Sequence, residues 1–573
     1  MKFDDILKHI GEFGYYQKRL YLLLCLPAIS TGCYMMMLVF VMHAPKHRCQ
    51  IPGMNNDTYN VQNNQHASII NRTIPPSHDE IHKYDRCHYY QYRNNSRNRV
   101  KCSKWVYDTN TFTETFASKM NFVCDDAIKR SHAQMIFYGG VLVGDVSFGI
   151  LSDKIGRKKT FLLSTIITLA MAVAVAFSQT FYVFVILEFM IGAAHHGGFM
   201  ICCVMSLEYV GPSKRVLTGI PIHIFFAFGI MYIALMGYLL RNWFYVQLAV
   251  GAPFAVFLFY WWLIPESSRW LLSMGKYYDA EKIIQRIAKV NKKKIPSRMI
   301  DEKTLENPKT ANVYHLFSTL EMTKRTIILL WNWIVIAMVY YGVTMHTGGN
   351  IGGNFYLNFF ILAIVEVPAK LLVMATLNRA GRKKIHCFCM VVGGVACMCT
   401  IFTVIYGGDE LQPLTLTLAI IGKMGSAAAF GIIYVYSMEL YPTVVRNSGM
   451  GLSSCIARIG GMVAPYVAQS ADVVGGKFGQ ALPLVIFGCC SVSAGLLCLI
   501  LPETLNRKLP ETVREAKDFT KQSSRRVAAQ AAASKNGSHK NTQTKSMGKI
   551  KSYRSTTKHC NEQMKYMIEI ELV

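Results

Sequence analysis

The chain of 573 residues is 52% hydrophobic and only 17% charged, with a mean hydropathy of +0.24, too apolar for a water-soluble domain and typical of a multi-span membrane protein. Its formal charge of +27 would suit a nucleic-acid binder, but much of the excess lies in loops beside apolar spans, where a cytoplasmic Lys/Arg bias accounts for it. No nucleic acid is expected as a partner; the lipid bilayer is.

Residues 1–19 are polar and mixed in charge, lack a cleavable signal, and read as a cytoplasmic N-terminus. The first apolar run, 20–42, is long enough to span a bilayer. A polar segment, 43–132, follows. It carries Cys49, Cys87, Cys102 and Cys124 together with Asn-x-Ser/Thr sequons at Asn56, Asn71 and Asn94. An even set of cysteines among sequons predicts a disulfide-stapled, glycosylated extracellular loop, and three pairings stay open. Most of the other cysteines sit inside apolar runs without zinc-like spacing, so no metal is expected. Apolar runs at 133–152, 160–178, 181–205, 216–240 and 243–264 complete a first block, 20–264.

The Lys-rich stretch 265–324 reads as a cytoplasmic linker, and within it 270–290 has apolar residues at helical spacing, predicting surface helix. Runs at 326–345, 355–377, 385–406, 414–436, 448–467 and 481–501 form a second block, 325–501. From 502 to 573 the chain is basic and nearly free of aromatic residues until Tyr553, which predicts a disordered cytoplasmic tail. Twelve spans put both termini on one side. The short basic loops 153–159 and 378–384 mark that side as cytoplasmic.

The loops also repeat in order. Gly149-Ile-Leu-Ser-Asp153-Lys-Ile-Gly156-Arg157-Lys158 recurs in decayed form at 378–383, an offset of 225 residues; Glu208 with Arg215 recurs as Glu439 with Arg446, 231 on; Pro265-Glu-Ser-Ser-Arg269 recurs as Pro502-Glu-Thr-Leu-Asn-Arg507, 237 on. Three motifs at nearly one offset predict two parallel six-helix halves, with a binding site between them near mid-membrane.

The Gly-x-x-x-Asp-x-x-Gly-Arg-Lys loop resembles the signature of the major facilitator superfamily. The first loop, Glu439-Leu-Tyr-Pro-Thr-Val-Val-Arg446, Pro502-Glu-Thr-Leu and the opening Phe3-Asp-Asp-Ile through Gly11-Glu-Phe-Gly are similar to the organic cation, carnitine and organic anion transporters, solute carrier family 22, over about residues 1–509. The resemblance implies an all-α membrane protein of twelve transmembrane helices in two six-helix halves. It also implies a multi-pass plasma-membrane location, a small organic ion as substrate, no cofactor, and H+ or Na+ as the coupling ion to test for.

Asp153, in a loop with the basic cluster around Arg157, is expected to pair with an Arg or Lys across the half-interface as a latch, continued by Glu208 with Arg215 and Glu439 with Arg446; Asn378 replaces the second acid and weakens that copy. Six ionisable residues fall inside spans: Asp145, Glu188, Glu366, Lys370, Lys423 and Arg458. They either pair with one another or line a polar path. Lys423 lies where it either snorkels or pairs. Arg458 sits ten residues into its run, roughly 15 Å from the start at 1.5 Å per residue, too deep to snorkel and shaped to hold an oxyanion. By resemblance, Arg at this position belongs to carnitine-type and organic anion transporters. Val365-Glu-Val-Pro-Ala-Lys370 resembles the helix-8 segment whose basic residue contributes to anion binding.

Lys370 and Arg458 are therefore expected to face a substrate carboxylate, with Glu366 holding the other end of a zwitterion. Asp145 and Glu188 are expected first to pair internally with Lys370 or Arg458, and otherwise to contact a substrate amine or take up a proton in coupling, with His195 and His196 as candidate relays. Tyr340, Tyr341, Phe430, Tyr434 and Tyr436 match aromatic positions of the family cavity. The function expected is alternating-access transport of carnitine-like zwitterions or organic anions. Organic cation transport is the alternative, and a non-transporting sensor on the same fold is a reading of another class. With no Walker loop, Gly-x-Ser-x-Gly or metal cluster, no enzymatic activity is expected.

Overall fold

The computed structural model describes residues 3–516 except 78–82, 94–95, 212–217, 220, 295, 297–312, 351–352, 408–409, 506, 508–509 and 511–514. The expected sequon at Asn94, the latch residue Arg215 and the tail from 517 onward lie outside the described residues.

Backbone inside a bilayer must satisfy its own hydrogen bonds, and here it does so as helix. The long helices are α1 (Tyr15–Val41), α2 (Ile128–Ile155), α3 (Arg157–Ala176), α4 (Phe181–Tyr209), α5 (Ile222–Leu240) and α6 (Trp243–Leu263). The second set is α7 (Leu320–Asn350), α8 (Phe355–Ala380), α9 (Arg382–Tyr406), α10 (Gln412–Leu440), α11 (Arg446–Val474) and α12 (Gly476–Cys498). Eleven of the twelve are long and apolar enough to cross a membrane. The exception is α11, long enough at 29 residues but diluted by Arg458 and a run of Gly and Ser. Large side chains such as Ile166, Leu235, Leu372 and Phe402 stay exposed on the outer faces, as lipid-facing helices require.

Proline sets the breaks. Pro368 has no N–H to offer the Ile364 carbonyl, and α8 interrupts at Val365 and restarts at Glu366. Pro27 likewise opens the second segment of α1.

Packing repeats between the halves. In the first half α1 packs on α5, and α2 and α3 pack on α4; in the second α7 packs on α11, and α8 and α9 pack on α10. The halves meet through α2 against α11 and α5 against α8, the two pairings an internal two-fold predicts.

The 43–132 segment forms its own small layer. Strand β1 (His47–Cys49) pairs antiparallel with β4 (Trp105–Tyr107), and β2 (His88–Arg93) with β3 (Ser96–Lys101). Of the three open pairings, the structure has Cys49–Cys102 and Cys87–Cys124. Asn56 and Asn71 are exposed. Beneath them Arg48 meets Asp57 at 2.5 Å, and His66 meets the same carboxylate at 2.9 Å, both bases being buried. At the opposite end, the one bearing loops 153–159 and 378–384, linker helix Tyr277–Val290 buries Ala280, Ile284, Ile287 and Ala288. Asn291 behind it ties down the N-terminus, donating to the Ile10 carbonyl at 2.9 Å and to Gln17 at 2.8 Å.

Burial pushes the Asp57 carboxyl up, but the Arg48 guanidinium, the Ile51 N–H and His66 more than offset it and hold the group below the usual carboxylate range. Its contribution to loop stability is complete above the ordinary value of about 4 and is lost as pH falls through the depressed one. Protection factors for hydrogen exchange across 47–66, measured against the intrinsic rate at each pH, are expected to fall on acidification in that window, and Asp57→Asn is expected to lower them already at neutral pH. Unchanged exchange in the variant would remove Asp57 as the organiser of the loop.

Candidate substrate-binding site

The site is built where the halves touch. Gly144 brings α2 against α4, since a Cβ there would overlap the Ala193 carbonyl. The next residue, Asp145, thereby reaches His196 Nδ1 at 2.5 Å. Its other oxygen accepts from Arg458 Nε and Nη2 at 3.1 Å each. Arg458 belongs to α11, so this ion pair joins the two halves. Tyr138, seven residues before Asp145, packs its ring 5.1 Å from that of Tyr341 across the same interface.

A second network closes within the C-terminal half. Glu366 at the restart of α8 accepts from Tyr340 OH at 2.7 and 2.8 Å and pairs with Lys423 Nζ at 2.9 Å. Lys423 also donates to the Tyr340 carbonyl at 3.2 Å and lies 3.3 Å over the Tyr340 ring. Glu366 and Lys423 are fully buried. Lys423 therefore does not snorkel; a buried carboxylate within reach outcompetes the distant water interface. Glu366, saturated from α7 and α10, pairs with neither Lys370 nor open space.

Lys370 is different. It is 3% exposed, and among the described residues it has no hydrogen-bond or ion-pair partner. Its stem passes Gly431 of α10, and its charge reaches His223 of α5 across the half-interface. The His223 ring lies 5.8 Å from Tyr434 and 6.4 Å from Phe430, and Trp333 of α7 packs 4.5 Å from Tyr434. The result is an unpaired ammonium beside a wall of aromatic rings.

Expectation and geometry part at several residues. Arg458 and Lys370 do not form a basic pair facing one carboxylate, because Asp145 already occupies Arg458. Tyr436 does not line this space. Two residues on from Tyr434, it points to the opposite side of α10, fully buried, and donates to the Pro502 carbonyl at 2.8 Å. Glu188 lies inside the N-terminal half, with no hydrogen-bond or ion-pair partner among the described residues. Trp333, Tyr138 and His223 were not singled out in the sequence. The first two are aromatic like their predicted neighbours, and His223 carried no signal beyond being polar in an apolar run.

At the motif end each half builds the same device. Gly156 and Gly381 take φ +106° and +95° between consecutive helices, a region that only glycine enters readily. The following Arg157 pairs with Asp153 at 2.8 Å and with Glu208 at 3.2 Å. Arg382 pairs with Glu439 at 3.0 Å. Glu266 accepts the N–H of Arg157 at 2.9 Å, and Glu503 accepts that of Arg382 at 2.9 Å, each a carboxylate on a helix N-terminus. Two expectations change. Asp153 is latched within its own half by the basic residue one turn on. Glu439 takes Arg382, while Arg446, past the turn that ends α10, donates to the Tyr441 carbonyl at 3.3 Å. Glu266 and Glu503 had been visible only as members of a repeat.

Residues 90–516 match the family model described as "Sugar (and other) transporter". The chain is 36% identical to the Drosophila melanogaster "Organic cation transporter protein", over 91% of this chain and 95% of that one. It is 32% identical to "Solute carrier family 22 member 2" of Rattus norvegicus, over 90% and 95%. The chain belongs to solute carrier family 22. This family is one of membrane transporters within the major facilitator superfamily, and the fold agrees: the xylose transporter XylE from E. coli, in an inward open conformation, superposes with a TM-score of 0.58 at 13% identity, covering 88% of this chain and all of that one. "Solute carrier family 22 member 13" of Homo sapiens matches at 32%, over 90% of this chain and 93% of that one.

Removing one member of a buried ion pair strands the other. Asp145→Ala and Arg458→Ala are each expected to lower stability by about 3–5 kcal/mol, and the double substitution to cost clearly less than the sum. Thermal unfolding of the purified variants in detergent measures this; strict additivity would mean that the two side chains do not depend on each other.

Proposed function

We propose that this family member carries small organic ions across the plasma membrane by alternating access, and that the ion it recognises bears a carboxylate or similar anionic group held by Lys370. The observation that carries the reading is charge pairing. Asp145 with Arg458 and Glu366 with Lys423 neutralise one another, whereas Lys370 is buried and has no hydrogen-bond or ion-pair partner among the described residues. An uncompensated cation inside a membrane protein is costly and calls for an anion. Phe430, Tyr434 and Trp333 then offer faces to the organic body, or to an ammonium by cation–π contact if the substrate is a zwitterion.

Alternating access is supported by where the halves are fastened. At the loop end Arg130 pairs with Asp472 at 2.9 Å, His132 meets Tyr466 OH at 2.7 Å, and Ser131 donates to Gln469. All three contacts join α2 to α11. At the motif end the ion pairs described above each stay within one half. The basic motif loops favour a cytoplasmic motif end with both termini inside, and exposed Asn56 and Asn71 suit glycan acceptors on the outside.

The second reading, transport of organic cations, draws on the relatives that carry that name. On that reading a cation takes Asp145 from Arg458. The two separate in an uptake assay with a labelled cation, a carnitine-like zwitterion and a dicarboxylate, at two pH values, with and without sodium. Lys370→Ala is expected to lower uptake of the carboxylate-bearing probes about ten- to hundredfold, the worth of one charged hydrogen bond. Lys370→Arg should retain part of it, and cation uptake should be spared. Unchanged carboxylate uptake in Lys370→Ala would overturn the assignment. Cation uptake as the only saturable flux would install the second reading, and saturable binding without flux the sensor.

A further inference from the structure

Inside the N-terminal half lies a second set of buried polar atoms that the central site does not use. Glu188 of α4 is fully buried, and neither of its oxygens has a hydrogen-bond partner. Gln247 of α6, within interacting reach of it, is also fully buried with both amide atoms unpartnered. Tyr34 of α1, which feels the same carboxyl, presents an unpartnered hydroxyl. The Tyr34 ring lies 4.6 Å from the imidazole of His195, and both nitrogens of that ring lack partners. At 1.5 Å per residue, Glu188 stands roughly 10 Å from the start of α4 and Gln247 roughly 6 Å from the start of α6. Both starts are at the loop end, so this polar cluster lies nearer that end of the bundle.

Polar atoms this deep are normally paired, and a carboxylate without a counter-charge is the costliest of them to leave alone. What faces Glu188 decides what it takes up. From α1 comes Tyr34, from α6 the neutral Gln247, and from its own helix His195 on the far side of Tyr34. The α2 residues against this stretch of α4, Phe137, Gly140 and Val141, are uncharged, as is Ala172 of α3 near the Tyr34 hydroxyl. No lysine or arginine among the described residues forms an ion pair with Glu188. A hard metal cation requires a shell of oxygens, whereas this set offers one carboxyl, one amide carbonyl and one phenol, and is otherwise rich in N–H groups. A proton requires a single acceptor. Once bound, it turns the carboxyl into a donor that the Gln247 carbonyl can accept, while Gln247 Nε2 and Tyr34 OH donate to the other oxygen.

We propose that Glu188 is a proton-binding site, separate from the substrate site, and that Tyr34, His195 and His196 connect it to the Asp145–Arg458 pair that joins the halves. The proton is carried as the carboxylic O–H. His195 and His196 are consecutive on α4, one turned toward Tyr34 and the other toward Asp145, so the polar groups lead from Glu188 toward the half-interface. The connection to transport rests on the function proposed above; the proton site does not.

Infrared titration of the purified full-length protein separates them. The wild type is expected to show a carboxylic-acid C=O band at neutral pH that Glu188→Gln abolishes, that Gln247→Leu shifts by removing its hydrogen bond, and that sodium leaves unchanged. Identical spectra for wild type and Glu188→Gln, no shift in Gln247→Leu, or a band that sodium removes would each overturn the proton site, the last in favour of a sodium site. Uptake of whichever labelled probe the wild type accepts should lose its pH dependence in Glu188→Gln. If the band is lost but pH dependence stays, the coupling role is wrong. If no probe is taken up at all, the transport reading fails while the infrared result still decides the proton site.

Discussion

A charge inside a bilayer must be met by an opposite charge or by a ligand, and the pair between Asp145 and Arg458 is where that constraint fastens the two halves of this molecule. The two residues are 313 positions apart and reach each other only because α2 lies along α11. Any motion that parts these helices at mid-membrane must either solvate both groups or supply replacements. His196, on the same carboxylate, gives Asp145 one partner that stays with the N-terminal half when Arg458 leaves. Separation of the halves and a change in the company of Asp145 are thus one event.

The same electrostatics at the membrane boundary gives a different result. Arg157 and Arg382 each sit after a positive-φ glycine, at the start of a helix whose first N–H groups point at Glu266 or Glu503. The carboxylate meets both the helix N-terminus and a neighbourhood of basic side chains. Because these pairs close within a half, they tie the motif end of each six-helix unit together without bridging the two. The sequence repeat at that end is a duplicated clamp. Its second copy, with Asn378 in place of Asp153, dispenses with one ion pair and keeps the rest.

Much of this was legible before any coordinates. All spans but α11 follow from apolar length, the halves from three motifs at one offset, and the family from the loop motifs and the opening residues, since each is a local property of the chain. Pairing was not legible. Six intramembrane charges admit many matchings, and nothing in their spacing shows that Glu366 would prefer Lys423 of α10 to Lys370 one turn away. That choice is made by helix packing. Tyr436 was misjudged because aromatic type was read without helical phase: two residues from Tyr434 is the far side of the helix. Glu266 and Glu503 stood in the repeat, but their work is done on backbone N–H groups, which leave no trace in side-chain patterns. The unpartnered state of Glu188 was likewise out of reach, since a sequence displays the residue and not its neighbours.

Charge pairing also bears on which substrate fits the proposed transport cycle. A cation seeking Asp145 or Glu366 has to displace Arg458 or Lys423, and the displaced base is then a buried charge without a partner, a loss of several kcal/mol that the substrate's own contacts must offset. A carboxylate reaching Lys370 displaces nothing. On the proposed reading it supplies the counter-charge that Lys370 lacks among the described residues, so its binding energy stays available to hold the halves together. A zwitterion gains on both counts when its ammonium rests on the faces of Tyr434 and Phe430, because aromatic rings stabilise it without ion-pair exchange. On this reasoning the network around Glu366 does not contact substrate. It fixes α7, α8 and α10 against one another, and so fixes the place at which Lys370 waits.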